Sequence, residues 1–318
     1  MSDNDFNNTS TVYERPYDES ILVSIVIPSY NRAHMLSTAI EACLTQTYKN
    51  IEVIVVNDGS TDNTLDVLNK YADTDQRVKV FNKENEGIAD TLNYGFERTV
   101  GEYVTWTSDD NYYYPEAIGS LVGFLKTHPN IGMVYSDIRN IDAEDKPIGI
   151  VNAGGPELLE TYCHIHGCHL YRREVMKKVG KYRREWVRCQ DHDYYIRIYK
   201  DFKIAHLPKV LYDYRWHEES MSGDHESHVL EEARLFEFHA KNRIEKRKIW
   251  AKKFGYLGCW FEIRWRFWKA FYYYSRAVPY EPGRIRDAIR AFFIAVYNSI
   301  PERVKETWRG LKKRFFTP

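Results

Sequence analysis

The arrangement of apolar residues constrains this chain more than any other feature. Five short runs, Val23–Ile27, Glu52–Val56, Val78–Phe81, Tyr103–Thr107 and Met133–Ser136, are rich in β-branched and aromatic residues. Between them lie segments of helical character, Met35–Thr45, Asp62–Tyr71, Ile88–Thr99 and Pro115–Thr127. Strands of nearly continuous Val and Ile leave neither face for water, so helices must cover both sides of the sheet. Strand–helix alternation in turn predicts mostly parallel pairing. The expected class is therefore α/β, with a Rossmann-like sheet flanked by helices. In such sheets ligands bind beyond the carboxyl ends of the strands. Three polar segments fall there: Pro28-Ser29-Tyr30-Asn31, Asn57-Asp58-Gly59-Ser60 and Ser108-Asp109-Asp110.

The third segment carries the clearest chemistry. Two adjacent carboxylates at a strand end suit a ligand better than a core. Mg²⁺ and Mn²⁺ prefer oxygen and commonly bridge one or two protein carboxylates to substrate phosphates. The competing reading is an acidic turn before the helix that starts near Tyr114-Pro115-Glu116.

Further along, Arg173–Val179 and His192–Tyr199 read as helices, and Lys203–His206 and Val210–Tyr214 as short strands. Residues 1–20 are polar and acidic, read as a disordered lead-in without the apolar core of a signal peptide. No stretch of about 18 apolar residues suggests a membrane-spanning helix. Five cysteines, Cys43, Cys163, Cys168, Cys189 and Cys259, form no regular framework and fit a reducing, cytoplasmic compartment. The net charge of zero hides a segregation. Residues 1–225 hold 24 Lys and Arg against 35 Asp and Glu, whereas residues 226–318 hold 21 against 10. A domain boundary is expected near residue 225.

The polar segments recur in a characteristic order: Pro28-Ser29-Tyr30-Asn31, Val56-Asn57-Asp58-Gly59-Ser60-Thr61-Asp62, Asn85-Glu86-Gly87, Ser108-Asp109-Asp110-Asn111 and Gln190-Asp191-His192-Asp193. Together they resemble family 2 glycosyltransferases with the GT-A fold, from about Val23 to about Ser222. The stretch Thr107-Ser108-Asp109-Asp110-Asn111-Tyr112 is similar to the SpsA-like branch. The resemblance implies an inverting, metal-dependent transfer of a sugar from a nucleotide-sugar, a UDP-sugar foremost, to a hydroxyl acceptor. It implies residues 21–225 as catalytic domain, with a helical C-terminal appendage.

By the same resemblance, Pro28, Ser29, Tyr30, Asn31, Asp58, Ser108 and Asp109 form the nucleotide site. Ser29 and Tyr30 would line the base pocket, and Asp58 would accept a hydrogen bond from the base. An acceptor-only carboxylate suits that task. Asp109 would contact the ribose, and Asp110 would bind Mn²⁺ or Mg²⁺, with His217 completing the metal or diphosphate site. Asp191 would be the general base that takes the acceptor's proton. The commoner family form has Glu before that Asp, where this chain has Gln190. Asp193 is the rival base, and an N-cap is the plain alternative for either. Leu92 stands where many members have Arg, so no nucleotide contact is assigned there. The Cys163–His169 segment borders the acceptor pocket by resemblance, and its spacing fits no strong zinc pattern.

In the C-terminal region, Trp260–Lys269, Arg284–Ile294 and Arg309–Phe316 mix cations with aromatic residues. Such helices rest on anionic membrane surfaces or pack on the catalytic domain with a solvated basic face. The implied acceptor is a glycan or its lipid-linked precursor in bacterial cell-surface polysaccharide synthesis, made at the cytoplasmic face. No nucleic-acid-binding module is present. Two other classes stay open: a catalytically inactive sugar-nucleotide binder, and a sugar nucleotidyltransferase. The second would carry a Gly-rich phosphate loop after the first strand, and Pro28-Ser29-Tyr30-Asn31 is not one.

Overall fold

The computed structural model describes residues 19–160, 162–217, 224–240, 243–264 and 266–299. The chain divides into two compact units, 1–223 and 224–318.

In the first unit the strands are β1 (Val23–Ser29), β2 (Ile51–Asp58), β3 (Val78–Lys83), β4 (Tyr103–Trp106), β5 (Tyr112–Tyr113), β6 (Ile131–Ile141), β7 (Pro147–Val151), β8 (His169–Arg172) and β9 (Lys203–Arg215). Its helices are α1 (Leu36–Leu44), α2 (Thr64–Thr74), α3 (Ile88–Phe96), α4 (Ala117–Thr127), α5 (Arg173–Val179) and α6 (Gln190–Asp201). All nine strands join one sheet in the order β3-β2-β1-β4-β8-β6-β9-β5, with β7 on the side of β6. The half from β3 to β4 is wholly parallel. Beyond it β8 runs antiparallel to β4 and β6, while β6 and β9 are parallel.

This topology positions the site. From β1 the chain steps outward to β2 and β3, then returns to place β4 on the other side of β1. The strand order thus reverses at β1, and a crevice opens at the carboxyl ends of β1 and β4. The register pairs Val26 with Trp106, and the Thr107 amide donates to the Val26 carbonyl at 3.0 Å. The Ser29 and Ser108-Asp109-Asp110 segments therefore leave the sheet side by side.

Every residue of β1 and of β2 is buried. On one face Ile25, Ile27, Val53 and Val55 pack with α1 and α4 residues such as Leu36, Ile40, Ile118 and Leu121. On the other, Val26, Ile54, Val56 and Trp106 pack with Leu92 and Phe96 of α3 and Tyr194, Tyr195 and Ile198 of α6. Gly95 lets α3 lie close on β1, since a Cβ there would sit 2.5 Å from a Val26 methyl.

The expected α/β architecture is present, with differences at the less regular elements. Lys203–His206 and Val210–Tyr214 are parts of one strand, β9, whose pairing with β6 slips near Ser136 and Asp137. The bulge lies in β9: Pro208 and Lys209 are the extra residues between Leu207, opposite Ser136, and Val210, opposite Asp137, and they account for the interruption that reads as a break. The strands β5, β7 and β8 carry no separate sequence signal: β5 is two residues long, and β7 is an exposed edge. Residues 19 and 20, at the end of the expected lead-in, form a turn in which the Glu19 carboxylate accepts from the Lys49 amide at 3.1 Å. Residues 1–18 lie outside the described residues.

The second unit is helical: α7 (His225–His239), α8 (Arg243–Ile263), α9 (Phe267–Ala277) and α10 (Ile285–Ser299). Asp224 caps α7 by accepting from the Ser227 amide at 3.2 Å. Phe254, Leu257 and Phe261 of α8 pack with Ala270, Tyr273 and Ala277 of α9 and with Ala288 and Ala291 of α10. Trp265, Trp308 and the segment Arg309–Phe316 lie outside the described residues. Among the described residues no helix is long and apolar enough to cross a membrane.

Candidate active site

The loops after β1 and β2 are stitched together by side chains. Asn31 adopts a left-handed backbone (φ 54°), which Asn tolerates better than most residues. Its amide donates to Ser60 Oγ at 2.9 Å, and its Oδ1 accepts from the Thr61 amide at 2.8 Å. The Arg32 amide donates to Thr64 Oγ1 at 3.0 Å, and Asp62 accepts from the Thr64 amide at 3.0 Å. Asn31 thus holds the two loops in register, while Tyr30 stands 47% exposed and Ser29 is buried.

Asp58 ends β2 and is buried. Its Oδ1 accepts from Lys83 Nζ at 2.7 Å and from the Glu86 amide at 3.1 Å; its Oδ2 accepts from the Gly87 amide at 3.0 Å. A carboxylate offers about four acceptor positions, so one remains for a further donor. Gly59 (φ 71°) makes this possible, because a Cβ there would lie 2.7 Å from the Asn85 nitrogen. Lys83 is a site residue that the sequence reading missed. Its signal was its place at the end of β3, on the same sheet edge as Asp58.

The Ser108–Asn111 segment follows β4. Asp109 is buried, and burial first, then the neighbouring Asp110 charge, push its pKa up to about 7 against the pull of Ser29 and Arg32. Burial also pushes Asp110 upward. There, hydrogen bonding and charge from His217, with the Ser108 hydroxyl and Arg32, outweigh it and leave the pKa below the usual carboxylate value. His217 Nε2 lies 3.0 Å from Asp110 Oδ2. Ser29 Oγ, Asp110 Oδ1 and His217 Nδ1 are buried without a well-formed hydrogen bond. The influence of Ser29 on Asp109 and of Ser108 on Asp110 therefore comes from hydroxyls that are close but poorly aligned.

The last residues of β9 bring His217 to this place. Arg215 is buried; its amide donates to Asn111 Oδ1 at 2.7 Å and its Nε to the Asp110 carbonyl at 3.0 Å. Its guanidinium also pairs with Asp145 at 2.7 Å. Arg215 is a second residue missed in the sequence, and its signal was the two-residue spacing from His217.

An Asp and a His brought together, with Asp110 Oδ1 unpartnered, form a donor set that suits Mn²⁺ or Mg²⁺. Among the described residues no group of three His, Cys, Asp or Glu side chains could hold a metal. A cation at Asp110 and His217 would thus draw its remaining ligands from substrate phosphates and water, as is usual for Mg²⁺. The Cys163–His169 segment makes no such group either: Cys168 is buried, and His169 Nδ1 lies 3.2 Å from the His166 carbonyl.

Asp191 and Asp193 lie in the first turn of α6 with different surroundings. Asp193 is fully buried, with Arg197 Nε at 2.8 Å and Arg183 at 3.3 Å on its two oxygens. Asp191 is half-buried and accepts from the His192 amide at 2.7 Å. Asp193 anchors α6 to the preceding loop through Arg183, whereas Asp191 is only partly buried. Leu92, where many family members carry Arg, is buried in the core with no exposed surface.

A reversed strand order at β1 and β4, with paired carboxylates beside it, places a ligand site at the carboxyl ends of these strands. Residues 24–180 match the family described as Glycosyl transferase family 2. The chain belongs to that family through its first unit. An uncharacterized glycosyltransferase of Rickettsia conorii is 37% identical over 216 residues, which cover 63% of this chain and 35% of the relative. A chondroitin synthase of Pasteurella multocida is 32% identical over 209 residues, 63% of this chain and 21% of that protein. The chain thus spans about a third or less of the length of these two curated relatives. Among solved structures, S. aureus TarS in complex with UDP-GlcNAc aligns over 73% of this chain and 71% of its own, at 18% identity and a TM-score of 0.56. The mannosyltransferase PcManGT from Pyrobaculum calidifontis, in complex with GDP-Man and Mn²⁺, aligns over 96% of this chain and 85% of its own, at 18% identity and a TM-score of 0.53. These two likenesses establish the GT-A fold.

Proposed function

We propose that this protein transfers a sugar from a UDP-sugar to a hydroxyl of a glycan or lipid-linked acceptor, with inversion, in the cytoplasm and in the service of cell-surface polysaccharide synthesis. The observation that carries the reading is the meeting of Asp110 and His217 at the β1–β4 crevice, beside buried Ser29 and Asp109. Pro28, Ser29, Tyr30 and Asn31 form the nucleotide side of that crevice, with Asp58 at the base and Ser108 and Asp109 at the ribose. The remaining acceptor position on Asp58 suits a ring N–H. TarS was solved with UDP-GlcNAc and PcManGT with GDP-Man and Mn²⁺, which supports a nucleotide-sugar and a divalent cation. The chondroitin synthase relative favours a glycan acceptor.

Asp110 and His217 would hold Mn²⁺ or Mg²⁺ against the diphosphate. Such a cation supplies charge neutralisation for the leaving nucleoside diphosphate. Asp191 takes the proton from the acceptor hydroxyl as its oxygen bonds to the anomeric carbon. The bond from that carbon to the diphosphate oxygen breaks on the opposite side, and its electron pair leaves with the diphosphate. One base and one displacement invert the anomeric configuration. The test is calorimetry of the protein with UDP-, GDP- and TDP-sugars, with and without Mn²⁺, followed by donor-hydrolysis assays of any that bind. A UDP-sugar should bind, more tightly with Mn²⁺, and be slowly hydrolysed. Absence of binding by any nucleotide-sugar would overturn the proposal.

A further inference from the structure

The ends of β1, β2 and β3 lie in a row, with Ser29 beside Asn57 and Asp58 beside Lys83. Lys83 therefore stands on the far side of Asp58 from the β1–β4 crevice, at the back of the carboxylate. Its side chain is 8% exposed, and each of its ammonium donors has an acceptor. Nζ donates to Asp58 Oδ1 at 2.7 Å and to the Glu84 carbonyl at 2.6 Å, and lies 3.0 Å from Glu86 Oε2. Burial draws the Lys83 pKa down, but the bonds to Asp58 and Glu86 outweigh it and hold the value above that of an ordinary lysine. The ammonium is thus charged and fixed in direction.

The partners of Asp58, namely Lys83 and the amides of Glu86 and Gly87, are all donors. Oδ1 holds two of them and Oδ2 one, which leaves the free acceptor position on Oδ2. An ionised carboxylate can accept from a ring N–H, which uracil carries at N3 and guanine at N1. Cytosine N3 and adenine N1 carry a lone pair instead, so acceptor would face acceptor. A site built around such a hydrogen bond rejects the analogue lacking it, because its own buried group is left unpaired. The two amides remain whatever side chain stands at position 83, but they supply no full charge. A buried carboxylate without its cation takes up a proton or turns to water. Either change removes the acceptor that the base would meet.

We infer that Lys83 sets the choice of nucleobase, by holding Asp58 as an acceptor-only group that admits uracil or guanine and turns away cytosine and adenine. The inference rests on the nucleotide site proposed at Asp58, but not on which of the two N–H bases the donor carries. Lys83 acts through Asp58 and is a positioning residue.

The test is calorimetry of the full-length protein with UDP, GDP, CDP and ADP at a fixed Mn²⁺ concentration. The parent should bind UDP or GDP about tenfold or more tightly than CDP and ADP, the scale of one hydrogen bond to a charged group. Lys83→Met keeps much of the side chain's length and loses its charge. It should weaken the preferred nucleotide by about tenfold and leave CDP and ADP nearly unchanged, so that the preference closes. Lys83→Gln retains a donor for Asp58 and is the milder change should the first melt early; it should narrow the preference in the same direction. A lysine that served the fold alone would lower all these affinities together, or none of them. Either result in a folded variant overturns the inference while the donor reading stands. A parent that binds GDP and not UDP overturns the UDP assignment and supports the inference. A parent that binds CDP or ADP as tightly as UDP and GDP overturns the inference, and one that binds no nucleotide overturns both.

Discussion

At the level of single residues, neighbouring carboxylates have been given different work by their surroundings. Asp110 meets His217, so Asp110→Asn keeps the shape but removes the charge that would hold a cation. Calorimetry should then show no gain in nucleoside-diphosphate affinity on adding Mn²⁺, with the thermal melt little changed; a persisting gain would exclude Asp110 as a ligand. Asp191 and Asp193 separate in the same way. Asp191→Asn should keep donor binding and lose transfer by roughly 10²- to 10⁴-fold, the usual share of a general base. Asp193→Asn should instead lower stability by about 3 kcal/mol, the scale for breaking a buried pair, while the folded protein keeps most of its rate. The reverse ranking in turnover assays would assign the base to Asp193. The motifs made Asp58, Asp109, Asp110 and Asp191 visible in the sequence, because such residues cluster where strands or loops end. Lys83 and Arg215 stayed hidden. Their roles depend on strands β3 and β9 ending at the same edge, and that register is a property of the sheet rather than of any local run.

At the level of elements, the parallel half of the sheet was legible because its strands are continuous Val and Ile runs of ordinary length. The later strands were not. β8 is four residues, His169-Leu170-Tyr171-Arg172, and becomes a strand only by fitting between β4 and β6. That insertion buries His169 completely. Its Nδ1 lies 3.3 Å from the Tyr195 hydroxyl, and burial pushes its pKa down from 6.5 to about 4. The sign of the consequence follows from where protons bind. Between those two values the unfolded chain takes up a proton that the folded chain refuses, so stability falls as pH drops from 6.5 towards 4. One such group contributes up to about 1.4 kcal/mol per pH unit across that window. Urea midpoints measured at successive pH values should therefore decline more steeply for the parent than for His169→Gln. Parallel curves would mean that His169 is protonated in the folded state and that β8 is less closed than its burial implies.

Across the whole molecule, the division of charge follows the division into units. The first unit holds both hydrophobic clusters of the sheet, every candidate site residue and an excess of acid; the second holds its own helical core and an excess of base. A change of composition near residue 225 was readable without a structure, because acidic and basic residues are counted as easily as strands. What the second unit exposes was not readable, since Ile285, Ile289 and Phe292 look like a core stripe until alanines are found filling that place. The separation predicts separable properties. A chain ending at Ser222 retains all of Ser29, Asp58, Asp109, Asp110, Asp191 and His217, together with the strands that carry them. It should therefore bind a nucleotide-sugar with the affinity of the full protein. Its surface is net acidic, so it should be repelled by anionic vesicles rather than drawn to them, where each Lys or Arg near such a surface adds about 1 kcal/mol of attraction. Circular dichroism first establishes that the shortened chain is folded; calorimetry and flotation then read the two properties on one sample. Loss of nucleotide affinity in a folded sample would show that the second unit takes part in the donor site, and flotation of the shortened chain with anionic vesicles would overturn the argument from its net charge.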